Sequence, residues 1–196
     1  MLTAANLLTC LRIVLIVPFV YSLRAGNYRI AIVIFFAASI TDFFDGYVAR
    51  KFDQQSTLGR FIDPLADKIL VTAAYVVIAI PHAGLPSIPI WLAAAVIGRD
   101  VFILAGSLAV YLTTKFTGFK PSVISKTNTV VELGFILYWM IVNAIEGLAP
   151  LRALKPICYG LVAVTVAASG CDYLWKGINI FRARRSAPSD VPLAGP

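Results

Sequence analysis

The chain has 196 residues, 59% hydrophobic and 14% charged, with a mean hydropathy of +0.83 and a formal net charge of +7. A soluble domain of this size carries roughly a quarter charged residues. Here the apolar residues also run in long blocks, which excludes a soluble all-α protein.

A spanning helix takes about 20 mostly apolar residues, because hydrocarbon offers nothing to satisfy backbone polar groups. Six blocks meet that need: Leu7–Leu23, Tyr28–Phe44, Ile69–Ile80, Ile90–Leu112, Val130–Leu148 and Ile157–Trp175. The third is short and is expected to extend back through Pro64–Lys68 as a partly wet helix. Turn chemistry separates the blocks at Ala25-Gly26-Asn27, His82-Ala83-Gly84, Gly118 with Lys120-Pro121, and Lys155-Pro156. The expectation is an all-α polytopic membrane protein with six transmembrane helices. It forms one domain over residues 1–185, and the Pro- and Ala-rich tail 186–196 is expected to be disordered.

A charge of +7 is compatible with nucleic acid, but its distribution argues otherwise. With both termini cytoplasmic, eleven Lys and Arg fall in inner loops and the C-terminal segment. The outer loops hold four (Arg24, Arg29, Arg152 and Lys155), and Arg12 and Arg99 stand inside apolar blocks. This is the asymmetry of cytoplasmic loops, and the basic segment after the last block suits anionic lipid head groups. Partners are therefore membrane lipids, not nucleic acid. The first block is interrupted by Arg12 with no basic segment before it, so it does not read as a cleaved signal. A bacterial inner membrane is the expected address. Cys10, Cys158 and Cys171 lie in apolar blocks without metal spacing and read as packing residues.

The chemistry concentrates where the second block ends. Asp42, Asp45, Gly46, Ala49 and Arg50 stand at i, i+3, i+4, i+7 and i+8, which on a helix is one face. Phe43, Phe44, Tyr47 and Val48 form the opposite, lipid-compatible face. Gly59, Asp63 and Asp67 follow at spacings of four. Two helices joined by the short loop Lys51–Leu58 can face each other and bring four carboxylates together. Clustered carboxylates repel and take up protons unless cations are bound. Hard Mg²⁺ or Mn²⁺ ions favour such oxygens and bridge to substrate phosphates, and a pair of ions clamps both oxygens of a phosphoryl displacement. Gly46, Ala49 and Gly59 leave room for a nucleotide against the helix backbone. The bland alternative has these Asp residues capping helices and pairing with Arg50, Arg60 and Lys68; it leaves the four-fold spacing unexplained.

Asp42-x2-Asp45-Gly46-x2-Ala49-Arg50-x8-Gly59-x3-Asp63-x3-Asp67 resembles the signature of the CDP-alcohol phosphotransferases, with eight fixed residues over 26 positions. The resemblance implies a six-helix membrane fold, a homodimer and a polar cavity open to the cytoplasm. It implies that Asp42, Asp45, Asp63 and Asp67 hold two metal ions. It places Asp42, Gly46, Ala49, Arg50 and Gly59 against the CDP donor and makes Asp67 the general base for the acceptor hydroxyl.

Asn6-Leu7-Leu8-Thr9-x2-Arg12 and Asp63-Pro64-Leu65-Ala66-Asp67-Lys68 resemble the phosphatidylglycerophosphate and cardiolipin synthase branches, implying CDP-diacylglycerol as donor and a glycerol-based acceptor. Arg99 and Lys126 are candidates for the acceptor phosphate; alternatively Arg99 is merely paired with Asp100. Phosphatidylglycerophosphate synthases typically carry Glu after that Arg and a second Arg eight positions on, where this chain has Asp100 and Ser107. One cation fewer suits a phosphodiester better than glycerol 3-phosphate. The stretch Phe119–Thr129 resembles eukaryotic-type cardiolipin synthases, so phosphatidylglycerol is the preferred acceptor and glycerol 3-phosphate the alternative. Glu132 and Asp172 are expected to be hydrogen-bonded structural groups, with lining of the cavity or the dimer contact as the alternative, and Trp91, Trp139 and Trp175, with Tyr111 and Tyr173, interface anchors. A cation transporter is the rival class, but transporters repeat their broken helices in both halves, and here the acids cluster in one.

Overall fold

The computed structural model describes the backbone of residues 4–51, 59–82, 84–114 and 122–186, and side chains over 13–40, 68–82, 84–107 and 122–179. Among the described residues all regular structure is helical. The elements are α1 (Ala4–Arg24), α2 (Tyr28–Lys51), α3 (Gly59–Ala79), α4 (Ile90–Thr114) and α5 (Val123–Ala144), then a 3₁₀ segment (Glu146–Leu154) and α6 (Lys155–Ser186).

Each apolar block has its helix, and the bounds move for local reasons. Helix α3 begins at Gly59, so the backward extension of the third block is real and reaches past Pro64. Helix α5 begins well before Val130, because the Ser122 hydroxyl accepts a hydrogen bond from the Ser125 N–H at 3.1 Å and caps the first turn. The Lys126 N–H donates to the Ser122 carbonyl at 3.1 Å, closing that turn. Helix α5 ends at Ala144 rather than running to Leu148, and the 3₁₀ segment that follows contains Pro150. Helix α6 continues through Ser186, so Ser186 belongs to the helix and not to the tail. Gly118, Lys120, Pro121 and the tail from residue 187 lie outside the described residues.

The chain divides into two compact units, Met1–Ala93 with Leu133–Lys155, and Ala94–Glu132 with Pro156–Pro196. In the first, α2 and α3 both pack on α1. Ala31, Ala38 and Ala74 are fully buried there, small residues that permit close helix approach without a hydrophobic drive between helices. Aromatic rings fill the spaces left: Phe19 lies against Phe35 (centroids 6.0 Å apart), Tyr75 stacks on Phe135 (5.9 Å), and Tyr28 meets Trp139 edge-on (5.3 Å). Trp139 is 2% exposed, which corrects its reading as an interface anchor; Trp91 and Trp175 are exposed, as such anchors must be. The 3₁₀ segment is tied down by its own polar groups: Tyr138 Oη donates to the Leu151 carbonyl (2.8 Å) and Arg152 Nε to that of Val142 (3.1 Å).

The second unit turns many large apolar residues outward and buries polar ones beside Val96, Val162 and Val166. Val123, Val130, Ile157 and Val164 are exposed, whereas Arg99, Asn128, Glu132 and Ser169 are buried. A water-soluble core inverts that order. Two segments, Ile90–Ser107 and Glu146–Asn179, are long and apolar enough to cross a membrane among the described residues; Ile13–Arg24, Tyr28–Ile40 and Lys68–Ala79 are shorter apolar helices. Together with the outward-facing apolar residues they suit a membrane protein. Cys171 is exposed and Cys158 half-buried, so Cys171 is not the core packing residue expected of it; the Cys10 side chain lies outside the described residues.

Candidate active site

The signature residues fall on two helices. Helix α2 is unbroken from Tyr28 to Lys51, so Asp42, Asp45, Gly46, Ala49 and Arg50 occupy positions along one face of it, as their spacing predicts. Gly59 is the first residue of α3, and Asp63 and Asp67 follow at one-turn intervals. The side chains of all eight lie outside the described residues, as does the connection 52–58. The metal-ligand, donor-contact and base roles expected of Asp42, Asp45, Asp63, Asp67, Gly46, Ala49, Arg50 and Gly59 therefore stand on backbone placement and residue chemistry. Among the described residues no three His, Cys, Asp or Glu stand together as a metal site. The donor set of the signature, carboxylate oxygens only, fits a hard divalent ion.

Arg99 forms the other polar centre. It sits on α4 at 6% exposure and is held by residues of three helices. Its Nη1 donates to Asp100 Oδ1 at 2.7 Å. Its Nη2 donates to Ser125 Oγ on α5 at 2.8 Å. Nε reaches Ser169 Oγ on α6 at 3.2 Å, and Nη2 donates to the same hydroxyl. A guanidinium has five N–H groups, and four of them are used by these contacts among the described residues. The pairing with Asp100 considered from sequence is thus present, with two serines added to it. A buried arginine needs such a partner, because an uncompensated charge in a low-dielectric interior is costly.

Ser125 and Ser169 are the residues that sequence reasoning missed. Val162, Val166 and Ser169 are all buried on α6, at i, i+4 and i+7, so a helical-face count would have turned Ser169 inward. That its partner is Arg99, 70 positions away, is not readable from periodicity. Lys126, the second acceptor-phosphate candidate, is exposed on the first turn of α5 beside Ser125.

The remaining acids of the apolar helices, Glu132 and Asp172, are hydrogen-bonded, as expected. Asn128 Nδ2 donates to Glu132 Oε1 at 2.6 Å with both residues buried, and Lys176 Nζ donates to Asp172 Oδ2 at 2.9 Å one turn along α6. His82 is exposed in the α3–α4 connection, and Glu146 is exposed at the start of the 3₁₀ segment.

The family model for CDP-alcohol phosphatidyltransferases matches residues 2–168. The chain belongs to that family. It is 36% identical over 189 residues to a cardiolipin synthase (CMP-forming)/mitochondrial hydrolase fusion protein of Schizosaccharomyces pombe, covering 87% of this chain and 30% of that one. It is 36% identical over 147 residues to the human cardiolipin synthase (CMP-forming), covering 67% and 48% respectively. It is also 34% identical over 140 residues to the CDP-diacylglycerol–glycerol-3-phosphate 3-phosphatidyltransferase of Salmonella typhimurium, covering 69% and 75%. The aligned region spans between 30% and 59% of the length of the four eukaryotic relatives it matches. Family membership accounts for the signature on α2 and α3 and speaks against a cation transporter.

Proposed function

We propose that this protein is an integral membrane phosphatidyltransferase that moves the phosphatidyl group of CDP-diacylglycerol to the free hydroxyl of phosphatidylglycerol, giving cardiolipin and CMP. The observation that carries the reading is the placement of all eight signature residues on the unbroken helical segments of α2 and α3. Asp67 accepts the proton of the acceptor hydroxyl. That oxygen attacks the phosphorus bonded to diacylglycerol, the pyrophosphate P–O bond breaks, and CMP leaves. An acidic group within hydrogen-bond reach of the hydroxyl is the geometric requirement for the base. Asp42, Asp45 and Asp63, with Asp67, would hold Mg²⁺ or Mn²⁺, two ions in this reading, whose positive charge would neutralise the pyrophosphate and the departing CMP. Gly46, Ala49 and Gly59 let the CDP moiety lie against helix backbone, and Arg50 supplies a cation to it.

The acceptor's phosphate is assigned to Arg99 and Lys126. In the same reading all six helices span the membrane as one domain over residues 1–185, with both termini and the signature on the cytoplasmic side of a bacterial inner membrane. The functional unit is a homodimer. The second reading has glycerol 3-phosphate as acceptor, and the length shared with the Salmonella relative favours it. Purified protein supplied with CDP-diacylglycerol and Mg²⁺ or Mn²⁺ separates the two when each acceptor is offered alone and the lipid product is identified. Cardiolipin from phosphatidylglycerol is expected. Phosphatidylglycerophosphate as the sole product would transfer the assignment to the second reading.

A further inference from the structure

We infer that the end of α2 opposite the signature carries a second anion site, a cleft in which Tyr28, Trp139, Arg24 and His82 take one oxygen of a phosphate group. The site is separate from the donor and acceptor assignments. Only the leaflet it faces, the outer one, rests on the orientation proposed above.

The cleft forms in the first unit, where the C-terminal ends of α1 and α3 and the first turn of α2 meet α5. Its walls are mostly apolar, Leu23 and Leu85 among them, and Arg24, Tyr28, His82 and Trp139 are its polar members. Tyr28 is the first residue of α2, and Asp42 follows about 21 Å along the helix axis. The enclosed space is about 10 Å³, room for one water-sized group. Tyr28 and Trp139 are 6% and 2% exposed, and their rings meet edge-on with centroids 5.3 Å apart. Tyr28 Oη and Trp139 Nε1 are both buried with no hydrogen-bond partner among the described residues. Leaving one buried polar group unpaired is costly, and two beside one cleft call for a ligand.

The chemistry of the lining selects that ligand. Trp139 and Arg24 can only donate hydrogen bonds, Tyr28 and His82 can donate, and no acid lines the cleft among the described residues. The occupant is therefore an acceptor. Charge narrows it further: Arg24, Arg29, Arg152 and Lys155 stand in the helix ends and connections on this side, with Glu146 as the one acid in the same segments. The Arg152 charge acts on the Tyr28 phenol itself. An anionic oxygen satisfies both the donors and this field, whereas a water molecule would add two hydrogens to a group of donors. A phosphate meets the size limit by inserting one oxygen beside Tyr28 and Trp139. Its remaining oxygens stay at the mouth, where Arg24 and His82 are exposed and Arg24 supplies a charge-assisted hydrogen bond. A lipid headgroup and free phosphate share this chemistry.

The test uses the full chain carrying Trp91→Phe and Trp175→Phe, which leaves Trp139 as its one tryptophan. Inorganic phosphate is exchanged for chloride at constant ionic strength in neutral detergent, and Trp139 emission and the thermal unfolding midpoint are recorded. Phosphate is expected to shift the emission and raise the midpoint. Tyr28→Phe keeps the ring and removes only the hydroxyl. It should weaken phosphate binding about tenfold, while the midpoint without phosphate stays at or above that of the parent, because an unpaired buried hydroxyl adds no stability. Arg24→Gln should weaken binding by a similar factor. Nanodiscs containing phosphatidylglycerol identify the source. Trp139 emission already at its phosphate-saturated position before phosphate is added supports a lipid headgroup, and emission that still responds to added phosphate supports the free ion. No response of Trp139 to either phosphate or phosphatidylglycerol overturns the inference, as does a phosphate affinity unchanged in both Tyr28→Phe and Arg24→Gln.

Discussion

Gly26 shows how one residue directs the chain into the element that carries the signature. Its φ of +72° closes α1 in a left-handed turn. The Asn27 N–H reaches the Ser22 carbonyl at 2.9 Å and the Gly26 N–H that of Leu23 at 3.2 Å, the paired bonds of a Schellman cap. A Cβ at Gly26 would stand 3.0 Å from Leu85 Cδ2. Gly26→Ala should therefore destabilise the protein by about 1–2 kcal/mol from the left-handed backbone, seen as a lower midpoint of thermal unfolding in detergent. The glycine was legible as a turn from Ala25-Gly26-Asn27, but its neighbour Leu85 was not, since that contact joins residues far apart in sequence. Arg99 divides in the same way. Its need for a partner was legible from a charge inside an apolar block, and Asp100 was within sight. Ser125 and Ser169 come from other helices, and nothing in a one-dimensional pattern couples them to Arg99. Trp139 was misjudged for a related reason: a tryptophan in an apolar block serves an interface or a core equally well, and only packing against Tyr28 decides.

At the scale of elements, apolar runs located every helix but misplaced the ends that polar residues set. Helix α5 starts at a serine cap, which a count of hydrophobic residues passes over. Ser122→Ala should cost about 1 kcal/mol of stability, measurable as a reduced unfolding midpoint, and it removes a neighbour of the turn carrying Ser125 and Lys126. The signature was legible for the opposite reason, because its spacing is a helical period and the helices are unbroken where it lies. On α2, Gly46 stands between Asp45 and Ala49 on the face assigned to the donor. Gly46→Leu should fill that place and abolish detectable CDP-diacylglycerol binding in calorimetry while the protein retains its wild-type unfolding midpoint. Unchanged donor affinity would refute the placement of the donor there.

For the molecule as a whole, composition announced the membrane and the family signature announced the chemistry, and the two meet in the buried polar groups of an otherwise apolar chain. Intramembrane ionisable residues are expensive and are kept where they do something. Glu132 and Asp172 are accounted for by Asn128 and Lys176. Arg99 is accounted for by its three-helix cradle. The four aspartates of the signature carry the proposed chemistry, and Asp67 carries its decisive step. The most direct test compares wild type with Asp67→Asn for CMP release from CDP-diacylglycerol in the presence of phosphatidylglycerol and Mg²⁺ or Mn²⁺. Metal-dependent CMP release by wild type, reduced at least a thousandfold in Asp67→Asn with donor binding retained, is the predicted result. Turnover that survives Asp67→Asn, or a wild type that releases no CMP with either phosphatidylglycerol or glycerol 3-phosphate, would contradict the account.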